Sequence, residues 1–322
     1  VRISSCISRV GVLFLVGVCG PVLLSGCEST PPPPATEQAV ALTLDAPKVT
    51  VLSTGQAPKM TAAYEDKGEN RSTRGVVISK GFQQKTVEAA SLDDKAPSSP
   101  GGEMEKTRLD LEVDTTDPSS NEEQSRAPAT RAVELRLTSE PDTGDSESTN
   151  QLSSAKGFRY GWRAQDNGQV SEVQIAAPVE ATQEAREHTE SLFKIISAYQ
   201  VVFPTEDIGV GAQWQVETRV ALDDAFLQTT TYTVKSMSGD TIELGVQVQQ
   251  RPTLGALHAD NHTLNVLHST SNITGTVSVN LKTALPTSGS FGGTTRVIYG
   301  EDSSPIRIVQ DSTTRLEFNS AE

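Results

Sequence analysis

The chain has 322 residues, 41 of them Asp or Glu against 27 Lys or Arg, for a formal net charge of −14. A surface that acidic repels nucleic acid and anionic lipid headgroups, so no nucleic-acid partner is expected. Its cysteines are Cys6, Cys19 and Cys27, all near the amino end, which excludes a disulfide framework, a cysteine zinc site and a catalytic thiol from the rest of the chain.

Arg2 and Arg9 precede an apolar run from Val10 to Leu24, the length of a signal-peptide core and short for a membrane span. The run ends in Leu24-Ser25-Gly26-Cys27. That tetrapeptide resembles the lipobox of bacterial lipoproteins. The resemblance implies a signal peptide over residues 1–26, cleavage before Cys27 and acylation of its thiol, of the palmitate kind. Two or more acyl chains hold a protein stably, each buried methylene contributing roughly 0.8 kcal/mol. The expected location is therefore the extracytoplasmic face of the cell membrane, lipid-anchored through Cys27. Residues 27–44 follow as a tether, in which Pro31 to Pro34 favour an extended polyproline II spacer.

A β-rich domain is expected over residues 45–319. Candidate strands before its helix are Lys48 to Ser53, Met60 to Tyr64, Thr73 to Ser79, Thr107 to Val113, Ala132 to Thr138, Phe158 to Ala164 and Val170 to Ala176. Leu109, Leu111 and Val113 alternate with polar neighbours, as do Val133, Leu135 and Leu137, so each strand should bury one face. Asp166-Asn167-Gly168 signals a hairpin, because Asn and Gly tolerate positive φ. Stretches 89–105, 114–130 and 139–155 are rich in Ser, Pro, Asp, Glu, Thr and Gly, and they read as disordered acidic loops.

Thr182 to Phe203 holds the long helical pattern of the chain. Ala185, His188, Leu192, Ile195, Ile196, Tyr199 and Phe203 recur at three- and four-residue steps and share one face. Glu184 and Glu187 suit the first turns, and Pro204 cannot continue the helix, which should stop near 200–203. Further strands are expected at Gln213 to Ala221, Thr229 to Ser236, Thr241 to Gln249, Ile273 to Lys282, Arg296 to Tyr299 and Ile306 to Phe318.

The segments VLSTGQAPKMTAAYEDKGENRST, GFRYGWRAQDNGQVSEVQI and FPTEDIGVGAQWQVETRV, with the helix between the last two, resemble the layout of a family of uncharacterised bacterial surface lipoproteins, found chiefly in actinobacteria. The residues that carry the likeness are Gly55, Pro58, Gly168, Pro204, Gly209, Gly211 and Trp214. The resemblance implies a location and an architecture, and no catalytic activity.

Little chemistry is visible. His258, Asp260 and His262 stand close in sequence, but Asp260-Asn261 reads as a turn, and no metal or other cofactor is expected. Gly289-Ser290-Phe291-Gly292-Gly293 lacks the nucleophile-elbow spacing. No catalytic residue is assigned.

The expected fold is mainly β (α+β). Strongly curved antiparallel sheets form a half-barrel, and the single central helix packs on the concave face. The expected function is non-catalytic binding of an apolar or envelope-derived ligand, contacted by Leu192, Ile196 and Tyr199 with Trp162 and Trp214 nearby. A structural or protein-interaction module of the envelope is the alternative, and a hydrolase with a site assembled from distant residues is the third.

Overall fold

The computed structural model describes residues 34–68, 71–98, 102–118, 129–221, 225–259, 262–301 and 304–320. The expected signal peptide over residues 1–26 and Cys27 lie outside them, as do Pro31–Pro33 and parts of the first two acidic stretches. Before the long helix come β1 (Val40–Thr43), β2 (Lys48–Ser53), β3 (Ser72–Glu88), β4 (Glu105–Thr116), β5 (Arg131–Leu137), the short helix α1 (Ser146–Gln151), β6 (Arg159–Ala164) and β7 (Val170–Ala176). The long helix is α2 (Gln183–Ala198). After it follow β8 (Gln213–Ala221), β9 (Ala225–Ser238), β10 (Thr241–Pro252), β11 (Ala256–Ala259), β12 (His262–Asn280), β13 (Ser288–Gly300) and β14 (Ile306–Ser320).

All the strands join one open antiparallel sheet in the order β1-β7-β6-β5-β4-β3-β14-β13-β12-β10-β9-β8-β2, with β11 paired to β12. The two strand series meet where β14 zips along β3, from Ile306 opposite Glu88 to Ser320 opposite Arg74. Both series therefore belong to one sheet. Its edges, β1 and β2, are consecutive in sequence and joined by residues 44–47. Alternation sets the burial. In β4, Thr107, Leu109, Leu111, Val113 and Thr115 are buried between more exposed neighbours, and β5 repeats the pattern.

Thr182 caps α2, its hydroxyl accepting from the Ala185 amide at 3.2 Å, and Glu184 sits in the first turn. Ala185, Thr189, Leu192, Phe193, Ile195 and Ile196 are buried. The helix contacts widely separated strands. Phe193 stacks on Tyr160 of β6 at 5.0 Å, and Tyr199 meets Phe291 of β13 edge-on at 4.8 Å. The Gln228 side-chain amide of β9 donates to the Ala198 carbonyl at 2.9 Å.

Several expectations change. The helix stops at Ala198, ahead of 200–203, where side chains packed against it take the next carbonyls. Tyr232 donates to Gln200 (3.4 Å), Tyr64 to Val201 (3.3 Å) and the Trp214 indole to Val202 (2.8 Å). Met60 to Tyr64 is no strand. Met60 makes an isolated bridge to Ile208, and the Tyr64 amide donates to Asp166, so the segment has no continuous partner for a ladder. Residues 139–155 were expected to be disordered, yet they hold α1, capped by Asp145, and a 3-10 turn that buries Leu152 and Ala155. Two buried apolar residues, one large and one small, anchor an otherwise polar stretch. The tether contributes β1, paired to β7 from Val40 opposite Ile175 to Thr43 opposite Glu172.

The hairpin at Asp166-Asn167-Gly168 forms as expected. Gly168 has φ +91°, and a Cβ there would overlap the Val201 carbonyl oxygen. The Phe203 amide donates to the Asn167 carbonyl at 2.8 Å. Gly55 likewise lies against the Gly209 backbone, so the glycines, Trp214 and their neighbours knit three connections together.

Candidate functional site

A cavity of about 700 Å³ lies between α2 and the strands β3, β9, β10, β12 and β14. Ser191, Lys194 and Ile195 come from the helix, Phe226 from β9, Gln250 from β10 and Ile273 from β12. Lys80 and Phe82 come from β3, where they pair with Thr314 and Ser312 of β14. Glu103, Met104 and Glu105 complete the lining. Gly81 permits this last contact, since a Cβ there would fall 2.5 Å from the Met104 sulfur.

The cavity's apolar lining includes Ile195, Ile273 and Phe226, all buried. Its buried polar members are Thr313, which shares a hydrogen bond with Thr294 at 2.9 Å, and Gln250, which is engaged on both arms. Its amide nitrogen donates to the Gln228 side-chain oxygen (2.8 Å) and the Tyr199 hydroxyl (3.3 Å), and its oxygen accepts from Thr295 (2.9 Å). Ser271 extends the network to Thr295 at 2.9 Å. A buried network with its groups paired fixes the wall rigidly. Burial pushes the Tyr199 phenol far above its ordinary range, the Gln250 hydrogen bond opposing.

Charge collects toward the outside. The Lys80 ammonium donates to the Ser191 hydroxyl at 3.2 Å, and Lys194 is exposed. Beside them the His188 Nδ1 lies 3.3 Å from a Glu105 oxygen, and its Nε2 lies 3.4 Å from the Thr107 hydroxyl. Burial holds this imidazole below its usual pKa, with Glu105 pulling it up and Lys80 pushing it down. Phe82 is 59% exposed at the same place.

The residues singled out from sequence are placed elsewhere. Leu192, Ile196, Tyr199, Trp162 and Trp214 are all buried in the main core, and among them none lines this cavity. Trp214 stacks on Tyr232 at 5.4 Å, and Tyr199 stands one hydrogen bond behind the wall. Trp162 lines a second cavity of about 490 Å³, together with Arg71, Glu134, Arg159 and Arg163. Sequence reasoning named Ile195 on the helical stripe without assigning it to the site. It missed Gln250, Phe226 and Lys80, which lie just outside the strands expected at 241–249, 229–236 and 73–79.

Asp260 and Asn261, and the side chains of His258 and His262, lie outside what the structure describes. Among the described residues no group of three or more His, Cys, Asp or Glu could hold a metal ion. No described helix is long and apolar enough to cross a membrane.

Residues 183–286 match a family of unknown function (DUF6263). The matched segment runs from α2 through β12 and supplies Ser191, Lys194, Ile195, Phe226, Gln250 and Ile273 of the cavity. The lining from β3, β14 and the 103–105 stretch lies outside it. A comparison with curated proteins finds no match.

Proposed function

We propose that the protein is a non-catalytic binding lipoprotein on the extracytoplasmic face of the cell membrane. Acyl chains on Cys27 hold it there, and it takes an apolar or envelope-derived ligand into the cavity beside α2. The observation that carries the reading is the cavity itself. At about 700 Å³ it falls within the range of small-molecule sites, and it combines an apolar interior with a few polar groups.

A half-barrel with α2 on its concave side accounts for such a space, and two distances support it. Strands β6 and β9 stand eight places apart in the sheet order, which is about 38 Å if flat at about 4.8 Å per strand. Yet they touch Phe193 and Ala198 of one helix, about 7.5 Å apart along its axis. The edges tell the same story. Thr43 of β1 and Lys48 of β2 are five residues apart and so at most about 18 Å distant, although twelve strand spacings separate them in the sheet, about 58 Å if flat. A sheet meeting both limits curls around the helix.

Two measurements test the reading. Native mass spectrometry of protein made in its own host should show a bound small molecule that Ile195→Trp, which fills the interior, displaces. A clean apo mass in wild type counts against a carrier. The wild type should partition into detergent and Cys27→Ala should not, and equal partitioning rejects the anchor. Edge strand β1 favours a second reading, an interaction module of the envelope, because Val40 and Leu42 are exposed on it at 62% and 50%, and Leu44, just past its end, at 42%. Crosslinking that captures one stoichiometric partner through β1 would select it.

A further inference from the structure

We infer that the cavity takes an acyl amphiphile with an anionic head, its tail against Ile195, Phe226 and Ile273 and its head between Lys80 and Lys194. The inference rests on the proposed binding function and names the ligand class for that site.

The interior dictates a hydrocarbon tail. Ile195, Phe226 and Ile273 offer no hydrogen bond, Gln250 already uses both ends of its amide on Gln228, Tyr199 and Thr295, and the Thr313 hydroxyl is paired with Thr294. A ligand group that sought a polar partner there would lose its water without replacement, which disfavours a buried polar end. Apolar surface gains by leaving water at the same place. The polar end of the ligand therefore stays outside.

The sign of the head follows from which charges are already engaged. Lys80 reaches under the helix to a neutral hydroxyl, Ser191, at 3.2 Å. Lys194 lies one helical step from Ile195 and makes no ion pair among the described residues. Lys194 is free to meet an anion, and Lys80 meets one in competition with Glu105, its partner across the β3–β4 register. Two carboxylates also line the mouth. Glu105 is held by His188 at 3.3 Å, and Glu103 lies on the stretch that crosses Gly81. His188 itself, kept below its usual pKa by burial, adds no third cation near neutral pH. Lys80 and Lys194 flank the apolar interior from β3 and from α2, so an anionic head pairs with both while its tail runs inward. This local arrangement opposes the acidic average of the chain. Long-range repulsion is screened beyond about 8–10 Å at ordinary ionic strength, whereas direct contacts are not.

The test uses the full-length acylated protein in lipid nanodiscs and twelve-carbon chains bearing a diazirine in the tail. Three heads are compared on that one tail: carboxylate, hydroxyl and trimethylammonium. Photolabelling, competed with unlabelled compound and mapped by peptide mass, should mark Ile195, Phe226 or Ile273. The carboxylate should bind about tenfold or more tighter than the trimethylammonium. In Lys80→Gln/Lys194→Gln the preference should fall to about onefold while the alcohol is unchanged, and Glu103→Gln/Glu105→Gln should strengthen it. Because variant and wild type share the same bilayer partitioning, the ratio reads the site. A phosphatidylglycerol with the same diazirine tail separates the two sources of such a head: labelling by it identifies a membrane phospholipid, and labelling by the carboxylate alone identifies a free fatty acid. Equal binding of the three heads, or a preference that survives the double lysine variant, overturns the anionic-head assignment and leaves the cavity function standing. Absence of labelling by any head at those residues overturns the cavity function itself.

Discussion

Phe193→Ala tests whether α2 is bound to the sheet through its buried face. Phe193 is fully buried, stacked on Tyr160 at 5.0 Å with the rings nearly parallel, and 5.8 Å from Phe158. Truncation removes the ring from both partners and leaves a void that a rigid sheet cannot collapse. Such changes cost about 3–5 kcal/mol, a large part of the 5–15 kcal/mol that holds a typical domain. The next residue is the control. Lys194 is exposed, and Lys194→Ala should stay within about 0.5 kcal/mol, since alanine is the better helix former. Urea unfolding of the Cys27→Ala protein can be followed by tryptophan fluorescence, because Trp162 and Trp214 are both buried. The expected result is a large fall in midpoint for Phe193→Ala with an unchanged slope, and almost none for Lys194→Ala. Equal shifts in the two variants would refute the packing of α2.

Asp66→Ala should cost about 3–5 kcal/mol, because it strands the Arg131 guanidinium, buried with its partner and 4.2 Å from the Tyr64 ring centroid; a loss under about 1 kcal/mol in urea unfolding would contradict this. His188 should make stability fall with acidity. Its folded pKa lies below the ordinary 6.5, so its contribution is intact above that value and is lost as pH falls toward the folded pKa, where only the unfolded chain gains a proton. Between pH 7.5 and 5.5 the wild type should therefore lose more stability than His188→Gln, and parallel pH profiles would exclude the effect. Gly168→Ala and Gly144→Ala both place alanine at positive φ, but only at Gly168 does the new carbon meet a backbone carbonyl, while Gly144 faces open space. Gly144→Ala should cost about 1 kcal/mol and Gly168→Ala clearly more, and thermal melts that rank them the other way would reject the close approach.

Much of the sheet was legible because its strands repeat apolar residues at every second place. Lys48–Ser53, Val170–Ala176 and Gln213–Ala221 end where periodicity says they do. The misses share a cause. Most of β13 is built of Ser, Thr and Gly, and in the first half of β12 the alternation of Leu264 and Val266 is broken by Leu267 and a run of polar residues, so their register, with Thr270 opposite Arg296, is supplied by neighbours. Threonine suits a strand through its branched Cβ, but that preference is weak without a partner. Residues 139–155 misled in the opposite sense. Their polar composition hid the Asp145 cap and the buried pair Leu152 and Ala155 that order them.

The site was harder to read than the fold because its two walls come from distant parts of the chain. The helical stripe correctly identified the buried face of α2, but the best-centred residues, Leu192 and Ile196, fill the core, while Ile195 at the flank reaches the cavity. A residue in the middle of a packed face has no room left for a ligand. Space survives at the margin, where helix and sheet diverge. The DUF6263 match sharpens the division. The segment 183–286 carries Ile195, Phe226 and Ile273, the apolar wall, whereas Lys80, Phe82 and Thr314 arrive on β3 and β14 from outside it. The buried apolar wall thus comes from the matched segment, while Phe82, Met104 and three of the four charged lining residues, Lys80, Glu103 and Glu105, come from outside it. Substituting Lys80 should therefore change which head the cavity accepts without changing the tail it holds, whereas substituting Ile195 should do the reverse.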